Sequence, residues 1–84
     1  MGKSYPLFEA LCTDQGKERV QILIDKVCLK ELEKSVLIAI YINGMRGKDC
    51  VARIKDCTSE RQVSALRRTG REKIEEFLTK NGNF

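Results

Sequence analysis

The sequence contains no histidine and no tryptophan, and Pro6 is the only proline among its 84 residues. Histidine is the side chain that most often transfers protons near neutral pH, and the acidic residues form no pair around an evident pocket. The sequence therefore offers neither a nucleophile with its base nor a pair of catalytic carboxylates. We predict that the protein is not an enzyme.

Long apolar segments are absent as well. The longest uninterrupted apolar run covers residues 36–42, whereas a membrane-spanning helix needs about 20 apolar residues. Residues 1–20 contain no apolar run long enough to serve as a secretory signal. We expect an intracellular, cytoplasmic protein without a membrane partner.

Cysteine is present, but not in the pattern of a metal site. The four cysteines include no Cys-x-x-Cys pair, and structural zinc sites usually take their ligands from such closely spaced pairs. Cys28 and Cys50 fall on apolar stripes of predicted helices, where a reduced thiol behaves as a small hydrophobic group. We therefore expect four free thiols, no bound metal and no cofactor.

Positive charge is concentrated in the second half of the chain. The net charge of the whole chain is +4, and residues 43–73 contain nine Lys and Arg against four Asp and Glu, a net +5. The remainder is close to neutral. A basic region on a near-neutral support is typical of a surface that binds a polyanion, although a solvated helix face with ordinary arginine content would give the same composition.

Hydrophobic periodicity predicts one domain, 1–84, built from four to five helices. A chain of this length has room for a single core. Residues 17–28 carry apolar side chains at the spacing of an amphipathic helix. A second, longer helix is predicted over 58–80, and either Thr58 or Ser59 is suited to be its N-cap. These elements predict an all-α fold.

One segment has two interpretations. Residues 36–42 are so rich in β-branched and aromatic side chains that propensity alone predicts a strand. Strands at 19–26, 36–42 and 50–55 would give an α+β domain with the order α-β-β-β-α. The helical spacing upstream and the Asn43-Gly44 pair, a typical helix stop, favour a helix instead.

The later part of the chain, 29–80, predicts a helix-turn-helix unit that follows N-terminal helices within 1–28. A short amphipathic helix begins near Lys48, and the long helix follows after a turn. Its apolar stripe includes Gly70, and glycine inside a helix costs about 1 kcal/mol relative to alanine. Close approach of another helix would explain a glycine at that position. The opposite face of the long helix is basic.

The exposed face of the long helix supplies the candidate DNA contacts. We predict that Arg61 reads guanine through O6 and N7 and that Glu60 accepts a hydrogen bond from cytosine N4. Arg68 and Arg71 lie further from the start of the helix and are predicted to meet phosphates. Basic residues of the preceding helix would also meet phosphates, because that helix crosses the DNA backbone in helix-turn-helix units. The complete predicted set is Arg46, Lys48, Arg53, Glu60, Arg61, Gln62, Ser64, Arg67, Arg68 and Arg71. For Gln62, a solvated helix position is an equally good interpretation.

A series of positions between residues 29 and 78 follows the pattern of a known DNA-binding domain. The positions on the first long segment are Leu32, Val36-Leu37, Tyr41, Gly44 and Met45. Further on they are Val51-Ala52 in the short helix and Ser59-Glu60-Arg61-Gln62-Val63 at the start of the long helix. Together these residues resemble region 4 of bacterial sigma factors, a pattern that small phage transcriptional regulators share. The resemblance implies a helix-turn-helix domain that binds double-stranded DNA and regulates transcription, with RNA polymerase or another protein as a further partner.

Two other functions fit the same sequence. The protein could be a small inhibitor or adaptor whose basic helix covers an acidic partner protein. Tyr5-Pro6-Leu7-Phe8 would then serve either as an apolar anchor or as part of the core. RNA binding is the third function, and it is favoured only by the α-β-β-β-α fold, because that order of elements also occurs in double-stranded-RNA-binding domains.

Overall fold

The computed structural model describes residues 5–14 and 16–81, and that part of the chain contains five α-helices. The helices are α1 (Pro6–Asp14), α2 (Gly16–Lys26), α3 (Glu31–Leu37), α4 (Gly47–Arg53) and α5 (Glu60–Asn81). A π-helical turn, Ile38–Ile42, continues α3 without a break. The described residues contain no strand. The predicted all-α fold of four to five helices is therefore confirmed.

The alternative α-β-β-β-α fold is wrong, and the segment 36–42 shows why. Val36, Leu37 and Ala39 are buried, and the remaining side chains of the segment pack against one or the other of two hydrophobic clusters. Because the helix is covered on both sides, it is apolar all round. Strand propensity describes how a side chain fits a half-buried sheet, and tertiary packing overrides it here.

The π-helical turn ends where the Asn43-Gly44 pair predicts a helix stop. The backbone N–H of Asn43 donates to the carbonyl of Ile38 at 3.1 Å, five residues back. Gly44 then adopts φ +70°, a left-handed conformation that glycine reaches without the strain of a Cβ. The N–H of Met45 donates to the carbonyl of Ala39 at 2.9 Å. This cap turns the chain towards α4.

The core consists of two hydrophobic clusters that share α5. The first joins α1, α2, the end of α3 and the C-terminal half of α5, and its fully buried members are Phe8, Leu23, Ile24, Leu37 and Ile74. The second joins α3, the π-helical turn, α4 and the N-terminal half of α5, through Val36, Ala39, Cys50, Cys57 and Val63. Since α5 is buried along one face in both clusters, its opposite face runs along the surface of the whole molecule.

The N-terminal helix is fixed to α5 by a carboxylate. Tyr5 and Phe8 are buried in the first cluster, so most of Tyr5-Pro6-Leu7-Phe8 belongs to the core, whereas Leu7 remains 45% exposed. Glu75 of α5 accepts hydrogen bonds from the backbone N–H groups of Leu7 and Phe8 at 3.1 and 3.0 Å. These N–H groups have no partner within α1, and an anion at a helix N-terminus also stabilises the helix dipole.

Gly70 lies at the boundary between the two clusters, where α3 approaches α5. A Cβ at this position would be 2.7 Å from Cδ1 and 3.3 Å from Cγ of the buried Leu37. The predicted close approach of another helix is therefore confirmed. The absence of a side chain at Gly70 allows Leu37 to contact the backbone of α5.

We expect Gly70→Ala to destabilise the fold by about 1–2 kcal/mol, because overpacking costs about 1–3 kcal/mol while the better helix propensity of alanine returns about 1 kcal/mol. Gly47→Ala is the matched control. A Cβ at Gly47 would lie 3.7 Å from Glu60 Oε1, which is ordinary contact. Urea denaturation should show this control within about 1 kcal/mol of the wild type or more stable. A Gly70→Ala variant as stable as the wild type would contradict the packing described for Leu37.

All four cysteines are free, as predicted, but their environments differ. Cys50 and Cys57 are buried, and burial is the main cause that raises the pKa of each thiol. Cys12 is half-buried, and burial followed by the charge of Glu9 raises its pKa. Cys28 is exposed. Its predicted place on a helical stripe is wrong, because α2 ends at Lys26.

Native-state thiol labelling should therefore separate the cysteines. Cys28 is expected to react at the rate of a free thiol, because it is exposed. Cys50 and Cys57 should react at least about a hundredfold more slowly than Cys28, because these buried thiols become accessible only when the protein opens locally. Mass spectrometry after pulses of a maleimide identifies each site. Equal labelling rates for Cys28 and Cys57 in the folded protein would contradict the second cluster.

Candidate nucleic-acid interface

The turn between α4 and α5 is held by side chains at the start of α5. Ser59 Oγ accepts a hydrogen bond from the backbone N–H of Gln62 at 3.1 Å, so Ser59 is the N-cap. Gln62 Oε1 accepts from the N–H and hydroxyl of Thr58 at 2.6 and 3.1 Å, and Gln62 Nε2 donates to the carbonyl of Asp56 at 3.2 Å. The Gln62 side chain thus makes three hydrogen bonds within the turn.

Helices α4 and α5, the two helices of the predicted helix-turn-helix unit, are joined through the second cluster. Cys50 of α4, Cys57 of the turn and Val63 of α5 are buried together. At the start of α4, Asp49 Oδ2 accepts a hydrogen bond from the N–H of Arg46 at 3.1 Å. The connection spans residues 54–59, which is longer than the turn of about 3–4 residues in most helix-turn-helix units.

Four residues form an exposed line along α5, which we call the outer stripe. They are Arg61, Ser64, Ala65 and Arg68. Their spacing of three and four residues places them on one face of the helix, opposite the buried Val63, Gly70 and Ile74. The outer stripe therefore presents two guanidinium groups on the face opposite the core, with only small side chains between them.

The predicted residues of the preceding helix are also exposed. Arg46, Lys48 and Arg53 all lie at or within α4 with exposed side chains. Glu60 is exposed as well, and its carboxylate lies beside Gly47 at the first residue of α4. The structure thus brings Glu60 to the junction of the two helices, beside the first residue of α4.

Arg67 and Arg71 lie on a different side of α5 from the outer stripe. Arg67 Nε donates a hydrogen bond to the hydroxyl of Tyr41 at 3.0 Å, and its guanidinium lies 5.4 Å from the centre of that ring. The guanidinium of Arg71 lies 4.6 Å from the centre of the Tyr5 ring. Neither tyrosine was expected from the sequence to support an arginine. The one sequence signal is their spacing. The two arginines lie one helical turn apart beside the buried face, which places them in the same environment.

On the opposite side of α5 from the two arginines, α5 contacts a buried carboxylate of α3 that the sequence did not reveal. Glu33 accepts hydrogen bonds from Lys73 Nζ at 2.7 Å, from the Thr69 hydroxyl and from the backbone N–H of Lys30 at 2.9 Å. Burial alone would raise the pKa of Glu33, but these hydrogen bonds and the charge of Lys73 lower it below its ordinary value. Lys73 is thus paired rather than part of the free basic surface. A groove of about 390 Å³ passes this network between α3 and α5.

Residues 5–14 and 16–81 contain neither a candidate metal site nor a candidate membrane-spanning helix. In that part of the chain, no three Cys, Asp or Glu side chains form a group able to hold a metal ion. None of the helices described there combines the length and the apolar character that crossing a bilayer requires.

A comparison of the chain with protein-family models, with curated proteins and with solved structures finds no match.

Proposed function

We propose that the protein binds double-stranded DNA through α5 and regulates transcription. The observation that carries the proposal is the outer stripe, which holds Arg61 and Arg68 on the exposed face of a helix whose other face is buried. The packing of α4 beside the N-terminal half of α5 supports α5 as the recognition helix that would enter the major groove. RNA polymerase is the further partner that the sigma-factor resemblance suggests.

Each part of the surface has a role in this proposal. Arg61 lies near the start of α5, where recognition helices contact base edges, and its forked donors suit O6 and N7 of guanine. Arg68 lies two turns further along and contacts phosphate. Arg46, Lys48 and Arg53 contact the backbone from α4. Glu60 accepts from cytosine, while Ser64 and Ala65 allow close approach of the helix to the groove.

A protein-binding function is the second candidate, and exposed apolar side chains favour it. Ile22 is 42% exposed, and with Ile42 it lines an open depression of about 460 Å³ between α2 and the π-helical turn. This surface is separate from the outer stripe, so a partner could use either. RNA binding lost its support with the α-β-β-β-α fold.

Fluorescence anisotropy with a labelled heterologous duplex tests the proposal. The wild type should bind, and Arg61→Gln with Arg68→Gln should weaken binding at least tenfold, about 1.4 kcal/mol. Lys17→Gln with Lys80→Gln removes the same charge from exposed residues elsewhere and should have a much smaller effect. Equal losses for the two double variants would show that only net charge matters. Binding to polyglutamate but not to DNA would favour the protein-binding function.

A further inference from the structure

The arginine pair, Arg67 and Arg71, rests on a row of aromatic side chains. Tyr41 contacts Arg67, and Tyr5 contacts Arg71. Phe8 packs edge-on against Tyr41, with ring centres 5.0 Å apart, and both Phe8 and Tyr5 are buried. The surface beneath the two guanidinium groups is therefore rigid. Stacking on aromatic rings fixes the plane of a guanidinium and reduces the entropy that it loses when it binds a ligand.

Most hydrogen-bond donors of the arginine pair have no acceptor in the part of the chain that the structure describes, 5–14 and 16–81. A guanidinium has five N–H donors. Arg67 uses its Nε–H for Tyr41, and the buried Nε of Arg71 has no acceptor among the described residues. Neither arginine forms an ion pair within residues 5–14 and 16–81. Two like charges one helical turn apart also repel each other, so an anion between them would relieve an unfavourable arrangement.

The carboxylates on this side of α5 are engaged with α1. Glu75 accepts from the backbone of Leu7 and Phe8, and Glu72 accepts from the hydroxyl of Tyr5 at 3.5 Å. Moving Glu75 to the arginine pair would leave two N–H groups at the start of α1 without an acceptor. Neither arginine has an ion-pair partner among the described side chains, so an anion from outside the chain would neutralise the pair without this cost.

We propose that Arg67 and Arg71 form a binding site for one phosphate group, and that Tyr41 and Tyr5 are its positioning residues. Two planar, forked donors suit the several oxygens of a phosphate, and such charge-assisted bonds are about twice as strong as neutral ones. The source of the phosphate rests on the proposed function. Because the pair lies beside the outer stripe, a helix in the major groove would turn it towards the sugar-phosphate backbone that borders the groove.

Inorganic phosphate tests the site without DNA. Side-chain ¹H–¹⁵N spectra of the arginine Nε–H groups should show shifts at Arg67 and Arg71 that saturate together in the millimolar range of phosphate, whereas Arg61 and Arg68 change much less. Sodium chloride at equal ionic strength is the control. Absence of a saturable shift at the pair, or equal shifts at all four arginines, would overturn the proposal whatever the outcome with DNA.

Duplex DNA tests the source of the phosphate and the role of the tyrosine. Arg67→Ala should weaken binding several-fold and lower the salt slope by about one unit. Tyr41→Phe keeps the ring but removes the acceptor of Arg67, so it should weaken binding two- to fivefold, on the order of the loss of one hydrogen bond, without changing the slope. In the Arg67→Ala background, Tyr41→Phe should have no further effect on DNA affinity. Tyr5→Phe is the control, since the ring that Arg71 contacts is retained.

The outcomes separate the two proposals. Equal weakening by Tyr41→Phe with and without Arg67 would show a purely structural role for Tyr41 and overturn it as a positioning residue. Saturable phosphate binding without any binding of duplex DNA would retain the site and contradict the proposed function. DNA binding that is unchanged by Arg67→Ala and Arg71→Ala would restrict the DNA interface to the outer stripe and α4, and would overturn the DNA backbone as the source of the phosphate.

Discussion

Arg61→Ala is expected to weaken binding to the preferred DNA site by about 1–3 kcal/mol, up to roughly a hundredfold, while binding to unrelated duplexes changes much less. The reason is that a bidentate contact to guanine contributes to one sequence only. The preferred site is obtained first, by selection from random duplexes with the wild-type protein. The variant should then also accept other bases at the position that Arg61 contacts.

Arg68→Ala is the matched comparison, because it removes the same charge from the same stripe. It should weaken binding to all duplexes alike and lower the salt slope by about one unit, as the loss of a phosphate contact does. Both side chains are exposed, so melting temperatures should stay close to the wild type. Identical selectivity in the two variants would contradict the separate roles assigned to these arginines.

Glu33→Gln is expected to destabilise the fold by about 2 kcal/mol, because hydrogen bonds to a charged group contribute about 1.5–3 kcal/mol and one neutral acceptor cannot replace all three. The side chain of Glu33 is only 3% exposed, whereas that of Lys73 is 38% exposed, so Lys73 can turn to water when the carboxylate is lost. This keeps the cost below that of a fully buried pair. Urea denaturation at neutral pH measures the effect.

The same variant should change how stability depends on pH. The pKa of Glu33 is lowered in the folded protein from its ordinary value of 4.5, so the folded state binds the proton less tightly than the unfolded state. The stabilising contribution of the Glu33 carboxylate is therefore complete above its pKa in the unfolded protein. It is lost as the pH falls through its pKa in the folded protein. The difference in stability between wild type and Glu33→Gln should shrink below about pH 4.5.

Glu31→Gln serves as the control for both measurements. Glu31 lies two residues away in the same first turn of α3 and is exposed. Its neutralisation should change stability by no more than about 0.5 kcal/mol. If Glu33→Gln is as stable as Glu31→Gln, or if its deficit grows on acidification, the carboxylate is not stabilised by the network around it.

The sequence predicts the elements that depend on local signals. The buried stripe of α5 and the helix stop at Asn43-Gly44 follow from spacing and from residue type, and both are present. The N-cap is predicted at Thr58 or Ser59, and the structure places it at Ser59. Gly70 was informative because glycine is unfavourable within a helix, so its position indicated a neighbour. The identity of that neighbour, Leu37, required the structure.

The sequence did not predict how side chains of α5 pair with other elements. Glu33 and Lys73 are separated by 40 residues, and a glutamate in the first turn of a helix resembles a solvated one. The sequence assigns Arg67 to the DNA-binding set and Arg71 to a phosphate contact, but periodicity does not show that Tyr41 and Tyr5 lie beneath them. Gln62 was equally ambiguous, since its use in the turn depends on the backbone path through Asp56 and Thr58.

The salt dependence of wild-type affinity for a heterologous duplex tests the central claim most directly. Arg46, Lys48, Arg53 and Arg68 are the exposed residues assigned to phosphates. Each phosphate contact contributes about −0.9 to the slope of log affinity against log salt concentration, so we expect a slope of about −4 or steeper. A protein that shows no binding at low salt, or an affinity independent of salt, would contradict the assignment of this surface to DNA.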